Sequence, residues 1–440
     1  MCGVEANRRA WTGWCRRWLP RVAALLYALP LLAAPLFPRA NDVVAEADTA
    51  SYLRLVDRFD LSRIYGDHWG PRRTTPVVAQ EHKVKHVLYV LGASLAVRLG
   101  RPLGLSTLVV TQLLNALLAA MALAVFLRLL ALYEVPDALA VPLAGLYATA
   151  PGQWVYASVP ESWPLSGLLT VCLLFVAKRW PGAPIRLGAL AGMAMLNNPV
   201  LGCAALLVST SPQATPSLRA RVRDGALAVA AAVFVWSGVL TLLSAFDPAF
   251  RPDHYLAFLR WFRTVVGENG DAKIWVLRHA LMNTVLLPFA SSTANHDLSF
   301  TAVEETWGAS LLGQVALSAI ALFWLAVGVV VGHWMRRRAS GRAPGWAVLG
   351  PLAFLSVVLV SYCSSSPRSM LLYSSTTIPV LLLLAALFLA PKRWTPALVW
   401  TVWLACMPAA VQQMYWYRNV AFESTLPVNK PYDPAWPGAD

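Results

Sequence analysis

LSTLVVTQLLNALLAAMALAVFL, residues 105–127, is a run of 23 residues without a charged side chain. A helix needs about 20 predominantly apolar residues to cross the roughly 30 Å hydrocarbon core of a bilayer, where water cannot satisfy the backbone amides. At least seven long apolar stretches with uncharged interiors lie between Val22 and Ala409. The sequence therefore predicts an all-α, polytopic transmembrane helix bundle.

The overall composition favours the same class. With 58% hydrophobic residues, 19 Trp and a mean hydropathy of +0.55, the chain is too apolar for a soluble globule and too segmented for a fibre. The formal charge of +14 does not indicate nucleic-acid binding, because Lys and Arg flank apolar spans, a pattern typical of membrane orientation. The six Cys residues show no CxxC pair and no zinc-type spacing, so no disulfide framework and no metal site are predicted.

Charge bias predicts how the spans are oriented. The Arg-rich N-terminus is expected in the cytoplasm, followed by an uncleaved first span at residues 19–37 rather than a cleaved signal peptide. Two long exoplasmic loops, residues 38–104 and 247–307, then carry most acidic residues. The cytoplasmic segments hold 18 Lys and Arg against four acidic residues, and the rest of the chain holds 18 of each sign. This asymmetry favours a multi-pass protein of the plasma (inner) membrane.

About 11 membrane segments are predicted. After the first, they are expected at residues 105–127, 139–156, 164–177, 185–208, 226–246, 308–331, 347–362, 371–389 and 397–411. The orientations of the neighbouring spans place both ends of residues 185–208 on the same side of the membrane. This predicts a hairpin interrupted by Asn197, Asn198 and Pro199. One kinked span is the alternative. Residues 1–210 form the predicted catalytic core, residues 211–440 add further helices, and short interfacial helices are expected in the exoplasmic loops.

The first exoplasmic loop contains the leading candidate for chemistry. Asp48 and Tyr52, four residues apart, would share one face of a short helix near the membrane surface. A carboxylate there can accept a proton from an incoming hydroxyl group, a role worth about 10² to 10⁴ in rate. Asp42 and Glu46 are candidates for the same role. The alternative is that these acids keep the loop soluble or cap a helix.

Basic groups follow in the same loop. Lys83, Lys85 and His86 open an amphipathic stretch that runs to Leu99 and is expected at the membrane interface. These three side chains could hold the phosphate of a lipid-linked substrate. Ordinary attraction to lipid headgroups is the alternative interpretation.

The order of these motifs resembles the GT-C superfamily of polyprenyl-phosphate-sugar glycosyltransferases, which includes the protein O-mannosyltransferases and the bacterial lipid A aminoarabinose transferases. Besides the Asp48–Tyr52 pair and His86, the similar segments are Ser158-Val-Pro-Glu-Ser162, the Gly-rich hairpin Gly188 to Pro199, and Ser366-Pro367-Arg368. The chain departs from the family where it has Thr49 for Glu, Val87-Leu88 for Pro-Pro, and Asn198 for Lys.

The resemblance implies an exoplasmic transfer reaction. A polyprenyl-phosphate-linked sugar is the implied donor and a lipid, glycan or protein the acceptor, with Asp48 as base. Lys83, Lys85, His86 and Arg368 would then bind the donor phosphate, while Tyr52 and Glu161 position substrate. For Glu161 a helix cap, and for Arg368 an interfacial anchor, are the alternatives. No cofactor or metal is predicted, although a divalent metal is compatible with such a site.

Two rival classes share the same composition. A transporter or flippase usually carries ionisable groups near the bilayer midplane and interrupted helices in corresponding halves of a repeat. This sequence shows no such charges and one predicted interruption. A non-catalytic scaffold of an envelope complex is the other alternative, because apolar spans alone carry no chemistry.

Overall fold

A computed structural model describes residues 19–29, 56, 86–157, 162–210, 217–246, 250–251, 284–286, 289, 310–338, 346–365, 374–390 and 392–419. All regular structure in these residues is helical and none of it is strand. The prediction of an all-α fold is therefore confirmed for the described residues.

Twelve α-helices and two 3-10 segments run over three or more consecutive described residues. In chain order the helices are α1 Leu19–Leu29, α2 Val87–Gly100, α3 Thr107–Leu132, α4 Asp137–Thr149, α5 Pro151–Ala157, α6 Trp163–Arg179, α7 Pro184–Met195, α8 Leu218–Ser244, α9 Leu311–Arg338, α10 Trp346–Ser365, α11 Ser374–Leu389 and α12 Thr395–Asn419. Residues Arg101–Leu103 follow α2, and the longer 3-10 segment, Pro199–Thr210, follows α7.

Four of these helices are long and apolar enough to cross a membrane: Thr107–Leu132, Arg219–Ser244, Leu311–Met335 and Thr395–Gln412. Shorter apolar helices are Leu19–Leu29, Pro184–Met195, Gly350–Leu359 and Ser374–Leu389. Each predicted span thus contains helix, although not every helix reaches spanning length.

Residues 139–156, predicted as one membrane segment, do not form one continuous helix. It is divided into α4 and α5 at Ala150, whose φ of −59° and ψ of 122° are extended rather than helical. Ala150 precedes Pro151, and the proline ring disfavours the α conformation for the residue before it. The chain therefore has a second interrupted helix besides the predicted break at Asn197.

Helices α7 and α8 run parallel. The chain must therefore turn back between them, and it does so after α7, at residues 196–198. A Cβ atom added at Gly188 would collide with the Ala228 carbonyl group, and one added at Gly192 with the Ala232 carbonyl group. Both contacts advance by four residues in the same direction, as in the small-xxx-small packing of membrane helices. For α8 to begin beside the start of α7, the intervening Pro199–Thr210 segment must return along α7. This is the hairpin geometry that the sequence predicts.

The centre of the bundle is the pair α6 and α11. Helix α6 contacts α3, α5, α7 and α11, and α11 also contacts α4, α9 and α10. A Cβ added at Gly167 would lie 3.0 Å from the Ser375 carbonyl oxygen, so the two helices approach closely near their N-termini. Ser166 and Thr170, on either side of Gly167 in α6, are buried and hydroxylated.

One end of the bundle is basic. The Lys178 ammonium lies 4.5 Å from the Tyr133 ring centre, which joins the ends of α6 and α3, and Trp334 contacts Phe388 where α9 and α11 end. At this basic end the described helices and turns carry Arg128, Lys178, Arg179, Arg186, Arg219, Arg221, Arg223, Arg336, Arg337, Arg338, Lys392 and Arg393. The acidic residues described there are Glu134, Asp137 and Asp224.

Replacing Gly188 by Leu should destabilise the bundle, because the new side chain would meet a rigid backbone carbonyl group of α8. The expected loss is about 1 to 3 kcal/mol in the free energy of unfolding. It should be measured as lower thermal stability of the detergent-purified protein. Gly328→Leu is the matched control, since a Cβ added at Gly328 meets nothing within 4 Å. Equal losses in both variants would contradict the assigned packing.

Candidate functional site

His86 is the one residue of the predicted site that lies within the described part of the chain. The remaining candidates, Asp42, Glu46, Asp48, Tyr52, Lys83, Lys85, Glu161 and Arg368, lie outside the described residues. Their roles stay predictions. Two neighbouring motif residues, Ser162 and Asn197, are described and lie beside His86.

The His86 ring is buried between three segments. It precedes α2, is 2% exposed, and its Nδ1 atom lies 2.6 Å from the Asn197 carbonyl oxygen and 3.0 Å from Ser162 Oγ. A carbonyl oxygen can only accept a hydrogen bond, so Nδ1 carries the hydrogen, and Nε2 holds the lone pair when the ring is neutral. The Trp163 ring packs edge-on against the imidazole at 6.1 Å.

Asn197 connects the hairpin to the start of α6. Its Nδ2 donates to the Ser162 carbonyl oxygen at 3.2 Å and to Ser166 Oγ at 2.8 Å. Its Oδ1 is buried and has no hydrogen-bond partner among the described residues. We refer to His86, Ser162, Ser166 and Asn197 as the His86 cluster. Three motifs that are far apart in sequence contribute to it.

The backbone groups at the break after α7 are satisfied by one local and one distant hydrogen bond. Asn198 Oδ1 accepts the Val200 amide at 3.3 Å, and the Leu196 carbonyl accepts the Leu88 amide at 3.2 Å. The N-terminus of α2 therefore meets the C-terminus of α7. Opposite ends of two helix dipoles attract, and a donating imidazole at the C-terminal end of α7 adds to that attraction.

Hydroxyl and amide groups continue from the His86 cluster into the bundle. Ser166 precedes Gly167, which faces Ser375, and Gln153 Nε2 donates to the Ser374 carbonyl oxygen at 3.2 Å. The Ser374 and Ser375 hydroxyl groups are buried and have no hydrogen-bond partner among the described residues. Gln153, Ser374 and Ser375 extend the His86 cluster into a longer row of buried polar groups, which we refer to as the polar seam. Polar groups inside an otherwise apolar bundle commonly line a substrate or ion pathway.

This geometry limits how His86 could contact a phosphate. The Nδ1–H group of the ring holds Asn197, so a phosphate contact by this ring would be made by Nε2–H of the protonated imidazolium. Within the described residues no group of three or more His, Cys, Asp or Glu side chains is arranged to hold a metal ion. The seam is otherwise made of neutral side chains, which can orient hydroxyl-rich ligands but cannot neutralise a phosphate.

Sequence reasoning missed Ser166, Gln153, Ser374 and Ser375 as members of this region. A usable signal was present for some of them. Ser162, Ser166 and Thr170 recur every four residues along α6, and four consecutive Ser and Thr residues, 374–377, begin an apolar span. Such spacing places hydroxyl groups on one helical face. Only packing shows that α6 and α11 approach each other, at Gly167 and Ser375.

Replacing Asn197 by Ala should destabilise the protein by about 1 to 3 kcal/mol, because buried oxygen atoms lose their donor. In a double-mutant cycle with Ser166→Ala, a coupling of about 0.5 to 1.5 kcal/mol is expected for a hydrogen bond of this kind. Chemical unfolding in mixed micelles is the measurement. Ser237→Ala, on the exposed face of α8, serves as control. Strict additivity between Asn197 and Ser166 would rule out the bond.

Comparisons with known proteins do not supply a function. The chain matches no protein-family model, and no curated protein or solved structure is significantly similar to it. The arrangement of its own side chains is therefore the basis on which a function is proposed.

Proposed function

We propose that the chain is an integral membrane glycosyltransferase that moves a sugar from a polyprenyl-phosphate donor to a lipid, glycan or protein acceptor. The observation that supports this best is the meeting of His86, Ser162 and Asn197 in one buried cluster. They come from three segments, 35 to 111 positions apart, whose order carries the resemblance to the GT-C superfamily. The proximity of these three residues is independent of the order of the motifs in the sequence, and it is a second reason to treat them as one site.

The distribution of charge supports an exoplasmic location for this site. Basic residues are enriched on the cytoplasmic side of membrane proteins. The described residues at the basic end hold twelve Lys and Arg against three acids, and the His86 cluster lies near the opposite ends of α6 and α7. The proposed orientation therefore has a cytoplasmic N-terminus, about 11 membrane segments and the reaction at the outer face of the plasma membrane.

The proposed chemistry divides among three sets of residues: the base, the phosphate-binding residues and the residues that position the substrates. Asp48, or alternatively Asp42 or Glu46, removes the proton from the acceptor, whose oxygen attacks the anomeric carbon while the bond to the carrier phosphate breaks. Lys83, Lys85, His86 and Arg368 stabilise the negative charge that develops on the leaving phosphate. Tyr52 and Glu161 position the substrates.

A carrier of polar solutes is the second candidate. The break at Ala150, in addition to that at Asn197, and the neutral polar seam are features that transporters also use. A carrier would move an intact substrate across a vesicle membrane. A transferase would instead release the sugar from its lipid phosphate.

Replacing Asp48 by Asn should lower transfer about 10² to 10⁴ fold, because the amide cannot accept the acceptor's proton. The measurement is sugar release from isoprenoid phosphosugars by purified protein, and the variant should express and elute like the parent. Asp42→Asn and Glu46→Gln are the controls, and both should retain most activity.

Two outcomes would overturn different parts of this proposal. Full activity in Asp48→Asn, with loss in either control, would move the base to the neighbouring carboxylate. Transport of intact solute by the parent protein in vesicles, with no sugar release from a panel of polyprenyl phosphosugars, would replace the transferase by the carrier.

A further inference from the structure

The turn between α6 and α7 concentrates positive charge without matching carboxylates. Lys178, Arg179 and Arg186 fall within nine residues that contain no Asp or Glu. Among the described residues no carboxylate lies within 4 Å of these three cations, and the ion pair seen at the basic end is Arg223–Asp224. Arg186 lies in the first turn of α7, where the helix dipole is unfavourable for a cation. An anion bound here would relieve this repulsion.

Aromatic rings hold two of these cations in place. The Lys178 ammonium lies 4.5 Å from the Tyr133 ring centre, and the Arg186 guanidinium lies 5.8 Å from that of Trp180. A tyrosine hydroxyl group is neutral near neutral pH, and burial raises the pKa of Tyr133 further, to about 12, so this ring adds no compensating negative charge. The positive charge of the turn is therefore retained under physiological conditions.

Apolar side chains are exposed beside the same charges. Trp180 is 43% exposed and Ile185 is 62% exposed, and Phe175 packs edge-on against Trp180 at 6.3 Å. Trp at the end of an apolar helix is typical of the level at which hydrocarbon gives way to headgroups. A soluble anion would leave this apolar surface uncovered, whereas a phospholipid covers it with its glycerol and acyl groups.

We propose that the α6–α7 turn, with Lys178, Arg179, Trp180 and Arg186, binds the headgroup of an anionic phospholipid. Each Lys or Arg beside a bound anionic headgroup contributes about a fivefold gain in affinity, and the planar guanidinium group can bind phosphate oxygens through two parallel hydrogen bonds. In the proposed orientation the lipid belongs to the cytoplasmic leaflet. This site is remote from the His86 cluster and does not depend on the proposed transfer reaction.

The α11–α12 turn provides a matched comparison on the same end of the bundle. It carries Lys392 and Arg393 beside Trp394, which is 49% exposed. It thus has one exposed Trp and two cations, but it lacks the third cation of the α6–α7 turn. Removing two charges from either turn changes the net charge equally, so a difference between the variants reports the site rather than overall electrostatics.

The test uses the full chain in phosphatidylcholine nanodiscs or mild detergent, and phosphatidylglycerol is the added lipid. The amount of lipid that the protein retains is measured by native mass spectrometry. The variant Arg179→Ala/Arg186→Ala should weaken phosphatidylglycerol retention about 10 to 30 fold, the product of two factors of about five. Lys392→Ala/Arg393→Ala should change it less than about threefold, and phosphatidylcholine retention should be the same in all proteins. The single variant Arg186→Gln, with an expected fivefold loss, replaces the double variant if the latter fails to fold.

Two results would overturn the proposal. Equal losses in the two double variants would show that net charge alone attracts the lipid. Displacement of phosphatidylglycerol by inorganic phosphate at equal concentration would show that the turn binds a soluble anion instead. Because the readout is lipid retention, neither result bears on sugar transfer.

Discussion

The carbonyl groups of Leu196 and Asn197, left without helical partners after α7, are the constraint on which the rest of the structure depends. Pro199 cannot donate an amide hydrogen, so the helix ends inside the bundle, where unsatisfied backbone groups are costly. The Leu88 amide and the His86 ring bond to these carbonyl groups. The end of the first long loop is thereby attached to a hairpin more than 100 positions later in the chain.

The direction of the hairpin determines the packing around it. Because the chain returns through Pro199–Thr210, α8 begins beside α7 and runs parallel to it. Parallel helices in close contact need small residues where their backbones meet, and Gly188 and Gly192 provide them against Ala228 and Ala232. The pair α6 and α11 uses the same solution at Gly167, with hydroxylated neighbours. Close backbone packing therefore brings polar side chains to the centre of the bundle.

The two ends of the bundle have different chemistry. One end carries clustered Lys and Arg, with aromatic rings beside Lys178 and Arg186. Towards the opposite end lies the polar seam of neutral hydroxyl and amide groups, with the buried His86 imidazole at its end. Neutral groups can orient a sugar without attracting competing ions, whereas exposed cations attract anionic headgroups. This separation is compatible with a reaction on one face of a membrane and lipid binding on the other.

The sequence by itself determined the helical class, the positions of the apolar helices and the break at Asn197–Pro199, because these follow from local composition and from a proline that lacks an amide hydrogen. The same local rule could have identified the break at Ala150, which precedes Pro151 within an apolar run. Tertiary structure alone decided that α7 and α8 are parallel, and that His86, Ser162 and Asn197 share one cluster. Contacts between residues 35 to 111 positions apart depend on which helices pack together, and hydrophobic periodicity does not determine that packing.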